Sequence, residues 1–186
     1  MKKAFLIIIT FSVLIYSCET KEKKKTEKKV EITIPELTKE EKIGKLKKEA
    51  SRLRGGGSVK EVLLIEDKAI ITYVKNYSEY KKLNPKSNLT KKDINGYWDT
   101  GEAIEKALVD GSVRLMKKLD FLNEVEIILP YKSKTYSIDV EKEKLERYLG
   151  TNFAVITLSW NEKFSNPYVY DDKGRKTFFK DFGKVK

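Results

Sequence analysis

Between Trp98 and Lys118 the chain places Ile104, Ala107, Leu108, Gly111 and Leu115 at helical spacing, and Leu119 extends the stripe. Val109, Val113 and Met116 add a second apolar flank. Intervals of three and four residues bring these side chains onto adjoining helix faces. A helix apolar over so much of its circumference has to be surrounded, so the pattern predicts a central helix. Asp99 or Thr100 can cap its start, and Glu102 suits the positive N-terminal end. Gly111, inside the stripe, lets the helix backbone approach a sheet closely. Glu105 and Arg114 read as surface residues, and nothing along the helix looks catalytic.

Two pairs of β-rich runs flank this helix. Val59 to Ile65 and Ala69 to Lys75 surround Glu66-Asp67-Lys68 and predict a hairpin; the second run is apolar on both faces, as an interior strand would be. Val125, Ile127 and Leu129 alternate up to Pro130, and Tyr136, Ile138 and Val140 resume after the polar turn Tyr131 to Lys134. Upstream, Thr38 and Glu41 have capping-box spacing ahead of Ile43, Leu46, Ala50 and Leu53, and Gly55-Gly56-Gly57 stop that helix. Downstream, Glu141 to Leu149 form a short helix with Leu145, Tyr148 and Leu149 inward, closed by Gly150. Val30, Ile32 and Ile34 predict a strand stopped by Pro35. The expectation for residues 30–150 is an α+β domain: a mainly antiparallel sheet from two hairpins, with a central helix and two shorter helices packed on it. Helix, strand, strand occurs twice, a topological likeness without a residue-by-residue repeat.

Residues 151–186 predict an aromatic-rich β extension packed on this domain. Phe153 to Trp160 suggest an edge strand, and Tyr168 to Phe179 a small hairpin turning at Tyr170-Asp171-Asp172-Lys173-Gly174-Arg175. That turn resembles the Tyr-Asp…Gly units of repetitive cell-surface hairpin proteins. The tail's aromatic rings are expected to pack inward, because so dense a set left in solvent would aggregate.

At the other end, Lys2 and Lys3 precede thirteen uncharged residues, Ala4 to Tyr16, and then Ser17 and Cys18, the only cysteine. Thirteen residues fall short of the roughly 20 that a helix needs to cross a bilayer. Ile15-Tyr16-Ser17-Cys18 resembles the lipobox of bacterial lipoproteins. The resemblance covers the leader alone. It implies a signal peptide at 1–17, cleavage before Cys18, acylation of that cysteine, and a protein held at the cell membrane or outer membrane, facing the periplasm or exterior. Residues 18–29 then form a lysine-rich tether, since Glu19 to Lys29 contain no apolar residue.

Histidine is absent, which excludes His-dependent triads and the common His-ligated zinc sites. With the sole cysteine in the leader, stability has to come from packing without internal disulfides. The formal charge is +11; removing the leader and tether leaves +6 from Val30 onward, a moderate excess that favours anionic partners. The long polar segment Asn76 to Gly96 interleaves lysines with aromatics, as a site for an anionic polymer would. Tyr77, Tyr80, Lys81, Lys82, Lys91, Lys92, Tyr97 and Trp98 are the candidate ligand-binding residues. The acidic pairs Asp99/Glu102, Glu124/Glu126 and Asp171/Asp172 have ordinary roles at a helix start, a strand face and a turn. No catalytic residue, cofactor or metal is expected. The function expected is that of a tethered, non-catalytic binding module of the cell envelope, meeting an anionic envelope polymer or another envelope protein rather than nucleic acid. A structural subunit of an envelope complex is the alternative, and a hydrolase is a more distant one.

Overall fold

Thr38 and Glu41 close the capping box their spacing predicts. Thr38 Oγ1 accepts from the Glu41 amide at 3.3 Å, and Glu41 Oε2 accepts from the Thr38 amide at 2.8 Å. This opens α1 (Lys39–Ala50), whose Leu46 and Ala50 are buried together with Leu53 just beyond. The computed structural model describes residues 36–100 and 102–186. The predicted leader, tether and Val30–Ile34 strand lie outside the described residues. Among the described residues, no helix is long and apolar enough to cross a membrane.

After a 3₁₀ turn at Gly56–Ser58 come β1 (Val59–Ile65) and β2 (Lys68–Tyr73), antiparallel around Glu66 and Asp67. Three helices follow: α2 (Tyr77–Leu83), α3 (Lys91–Trp98) and α4 (Glu102–Lys118). Their crossover sets β3 (Glu124–Tyr131) parallel to β2, and β4 (Lys134–Glu141) returns antiparallel. The Asn123 amide donates to the Asp67 carbonyl at 3.0 Å, and Asn123 Nδ2 to Asp67 Oδ2 at 2.7 Å, which fixes where β3 starts beside the first hairpin. Next come α5 (Lys142–Leu149), α6 (Phe153–Leu158), a π-helical segment (Asn161–Tyr170), α7 (Asp172–Phe182) and β5 (Gly183–Val185). The sheet order is β1-β2-β3-β4-β5, mostly antiparallel, so the expected α+β class holds.

The alternation of the strands decides what is buried. Ala69, Ile71 and Tyr73 of β2, Val125, Ile127 and Leu129 of β3, and Ile138 and Val140 of β4 all face inward. The whole predicted stripe of α4 is buried, as is its second flank. A Cβ on Gly111 would stand 2.9 Å from Ile127 Cδ1, so the helix lies against the sheet as expected. Burying a Leu or Ile of this set contributes about 1.5–3 kcal/mol each, so this layer dominates stability. The other sheet face carries no buried residue. It presents Leu63, Ile65, Ile70 and Ile128 next to Lys68, whose ammonium holds Glu124, Glu126 and Asp139 at 2.8, 3.1 and 3.2 Å.

Several expectations are corrected. The polar segment Asn76–Gly96 carries α2 and most of α3. β3 runs through Pro130 to Tyr131, because Pro130 pairs only with Thr135 of β4 and its missing N–H breaks no ladder on the β2 side. Phe153 to Trp160 form no edge strand: Asn152 Oδ1 accepts from the Val155 amide at 2.9 Å and starts α6. The predicted hairpin at Tyr168–Phe179 is helical, so the aromatic tail is not a β extension apart from β5. Its Asp-x-x-Gly turn is a helix cap, with Asp171 Oδ2 accepting from the Gly174 amide at 2.7 Å. The rings do pack inward: Phe164, Phe178 and Phe182 are buried, with Tyr148 edge-on to Phe178 and Phe182.

Glu105 and Arg114 are not simple surface residues either. Arg175 is 0 % exposed and donates to the Val169 carbonyl at 2.9 Å, to Asp172, and to Glu105 Oε2 at 3.4 Å, which ties α7 to α4 and the π-helical segment. Arg114 grips the buried Asp110 with two hydrogen bonds, at 3.1 and 2.7 Å. Buried charge needs such partners; Asp110 and Arg114 stand at i,i+4 spacing within α4, whereas Glu105 and Arg175 are 70 residues apart and leave no local signal.

Candidate functional site

Asn76 turns β2's exit into a helix start. Its Oδ1 accepts from the Glu79 amide at 3.0 Å, and Glu79 Oε2 accepts in return from the Lys75 amide at 3.1 Å. α3 begins with a second reciprocal cap, in which Thr90 Oγ1 accepts from the Asp93 amide at 3.2 Å and Asp93 Oδ2 from the Thr90 amide at 2.8 Å. The turn between the helices is pinned by side chains. Tyr77 Oη donates to the Leu89 carbonyl at 3.1 Å, Tyr80 and Ser87 share a hydrogen bond at 2.8 Å, and Lys81 Nζ donates to the Ser87 carbonyl at 2.8 Å. At the far end of α3, Trp98 is 5 % exposed and stands edge-on to both Tyr73 and Tyr97.

Among the described residues, three concavities border this helix pair. One of about 300 Å³ lies between α2, α3 and the β3–β4 turn. Its apolar lining comes from Tyr77, Ile94, Trp98, Pro130 and Tyr131, and its polar lining from Asn76 and Asn95, with Lys75, Lys91 and Lys132 also on the wall. A shallower one of about 630 Å³ adjoins it across Asn76, Tyr77 and Lys91 and extends past Ser78 to Lys81 and Lys82. A third, about 300 Å³, sits behind α3 between Gly55, Tyr80, Leu89, Tyr97 and Trp98.

The electrostatics follow from pairing. Asp99 accepts from Tyr131 Oη at 2.7 Å and from Lys132, and these bonds hold its carboxyl below the usual range. Burial, with that same bond to Asp99, pushes the Tyr131 hydroxyl up to about 12, so it stays a donor at neutral pH. Glu79 is held below its ordinary value, first by the Lys75 amide and then by Lys60 and Lys75. The carboxylates near the groove are therefore ionised and already partnered, whereas Lys82, Lys91 and Lys92 are solvent-exposed. Each acidic pair singled out in the sequence has a partner elsewhere: Lys132 for Asp99, Lys68 for Glu124 and Glu126, Arg175 for Asp172, and the α7 cap for Asp171.

The predicted residues do not all share one role. Tyr77 and Lys91 line both adjoining concavities, and Lys82 and Lys81 line the shallow one, although Lys81 is also consumed in closing the α2–α3 turn. Trp98 floors the first concavity and backs the third, Tyr80 is buried on the third, and Tyr97 lies there too, away from the lysines. Lys92 is exposed and lines none of the three. Asn76, Asn95, Tyr131 and Lys132 escaped the sequence reading. Asn76 had a local signal, the Asn-x-x-Glu cap spacing, but Tyr131 and Lys132 reach the groove from a turn more than thirty residues further along the chain. No protein-family model, curated protein or solved structure matches this chain.

Proposed function

We propose that this protein is a non-catalytic binding module held at the cell envelope by a lipid on Cys18, and that its α2–α3 groove takes an anionic envelope polymer. The observation that carries the reading is the shared wall of Asn76, Tyr77 and Lys91, which joins two concavities into one lysine-rimmed groove longer than a single small ligand. Exposed ammoniums attract the polymer, and the aromatic walls give it apolar contact as it runs along the groove. Replacing Lys82 and Lys91 together by glutamate is expected to cut binding to an anionic envelope fraction at least tenfold with the circular dichroism spectrum unchanged. Undiminished binding by the folded variant overturns the assignment. The lipid is tested separately: intact-mass analysis of the native protein should show an acylated N-terminal Cys18, and an unmodified thiol removes the tether.

The sheet face that no helix covers among the described residues favours a second reading, a structural subunit of an envelope complex. Leu63 and Ile65 are 43 % and 55 % exposed there beside Ile70 and Ile128. This reading requires a stable partner after detergent extraction; a monomer by sedimentation opposes it.

A further inference from the structure

The polar lining of the concavity between α2, α3 and the β3–β4 turn narrows the ligand class. Among the described residues the Asn95 side-chain amide makes no hydrogen bond, and Asn76 gives only its Oδ1 to the Glu79 amide, leaving Nδ2 free. A primary amide offers both donors and an acceptor, the complement of a hydroxyl group. A simple polyanion would use the donors and leave the Asn95 carbonyl facing negative charge. Tyr77 and Tyr131 stand on the same cavity wall with their hydroxyls tied, to the Leu89 carbonyl at 3.1 Å and to Asp99 at 2.7 Å, so their rings are already oriented for an apolar ligand face. Trp98 is 5 % exposed, so little of the indole is open for a nucleobase to stack on. The volume of about 300 Å³ lies at the lower end of the range for small-molecule sites.

Building on the proposed anionic-polymer groove, we infer that the concavity between Tyr77 and Tyr131 is a subsite for one sugar unit carrying a carboxylate or phosphate. The saccharide chain continues from it across Tyr77 and Lys91 toward Lys82. Lys91 meets the anionic group, Asn76 and Asn95 the ring hydroxyls, and the tyrosine faces the ring's C–H groups.

Calorimetric titration of the full chain in detergent tests this against five probes: a six-unit polyuronate, a six-unit sugar-phosphate polymer, the neutral methyl ester of the polyuronate, inorganic polyphosphate and oligo(dT). The expected result is that at least one anionic saccharide binds ten times or more tightly than the ester, polyphosphate or oligo(dT). Asn95→Asp, close to isosteric at a side chain without structural hydrogen bonds, should lose at least tenfold affinity for that saccharide. Tyr77→Ala, which removes the ring face, should lose as much. Equal affinity for polyphosphate and both saccharides, with Tyr77→Ala and Asn95→Ala both harmless, overturns sugar recognition and leaves the anion-binding groove standing. Tightest binding to oligo(dT) overturns it in favour of nucleic acid. No binding to any anion removes both the subsite and the proposed groove.

Discussion

Gly55 holds φ at 65° with the Trp98 ring so close that an added Cβ would stand 2.5 Å from Cζ2. An L side chain is disfavoured there by conformation and by contact, and the ring behind it backs the candidate groove. Gly55→Ala should therefore destabilise the fold by about 1–3 kcal/mol in urea denaturation. Gly44 is the counterpart: it lies within α1 with nothing within 4 Å of its Cβ position. Gly44→Ala should stabilise by about 0.5–1 kcal/mol, because alanine has the higher helix propensity and restricts the unfolded chain. Equal effects of the two substitutions would contradict the geometry. Tyr131 gives a residue-level test of the groove wall. Its hydroxyl, raised to about 12 by burial and Asp99, should stay protonated in an ultraviolet titration well past the ordinary tyrosine value of about 10. Asp99→Asn should bring it down. The native state then holds a proton that the unfolded chain releases first, so stability falls as pH climbs from about 10 toward 12.

At the scale of elements, the structure divides according to how local each signal is. α1, α4 and α5 were legible because a cap, an apolar stripe and a closing glycine are all encoded within one stretch: Thr38 with Glu41, Ile104 to Leu119, and Gly150. The first hairpin was legible from its two β-rich runs around Glu66-Asp67-Lys68, and the second from alternation. α6 and α7 were not, because a short apolar run such as Phe153 to Leu158 fits a strand as well as a buried helix, and Asp171 with Gly174 suits a turn as well as a cap. What resolves α7 is tertiary: Arg175, sunk between Asp172, Glu105 and the Val169 carbonyl. Arg175→Met removes every one of those bonds and leaves the carbonyl unpaired. It should cost about 2–4 kcal/mol and accelerate hydrogen exchange in α7 and the π-helical segment well before α4. Uniform exchange throughout would show that the C-terminal helices do not depend on this guanidinium.

Across the whole molecule, charge is distributed by function rather than evenly. Carboxylates at Glu41, Glu79, Asp93, Asp99 and Asp172 are all held below their ordinary values by hydrogen bonds, most of them at helix starts. Groups depressed in the native state contribute stability that is present above the unfolded value near 4 and lost as pH falls through the native one. The melting temperature should hold from pH 7 to about 5 and drop steeply below about 4, and an acid-insensitive melt would contradict these pairings. The candidate groove was only half legible at this scale. Tyr77, Lys82 and Lys91 come from one polar stretch whose composition betrayed it, whereas Tyr131 and Lys132 join them only because β3 lies parallel to β2 and carries its far turn beside α3. Long-range pairing of that kind leaves no periodic trace in a sequence.

The most direct test is where an anionic saccharide lands. Nuclear magnetic resonance titration of the isotopically labelled protein with the six-unit polyuronate and the sugar-phosphate polymer should move the signals of Tyr77, Lys91, Asn95 and Tyr131 together and leave Ile70 and Ile128 on the open sheet face unmoved. Shifts confined to that sheet face, or to lysines remote from α2 and α3, would contradict the groove as the binding site.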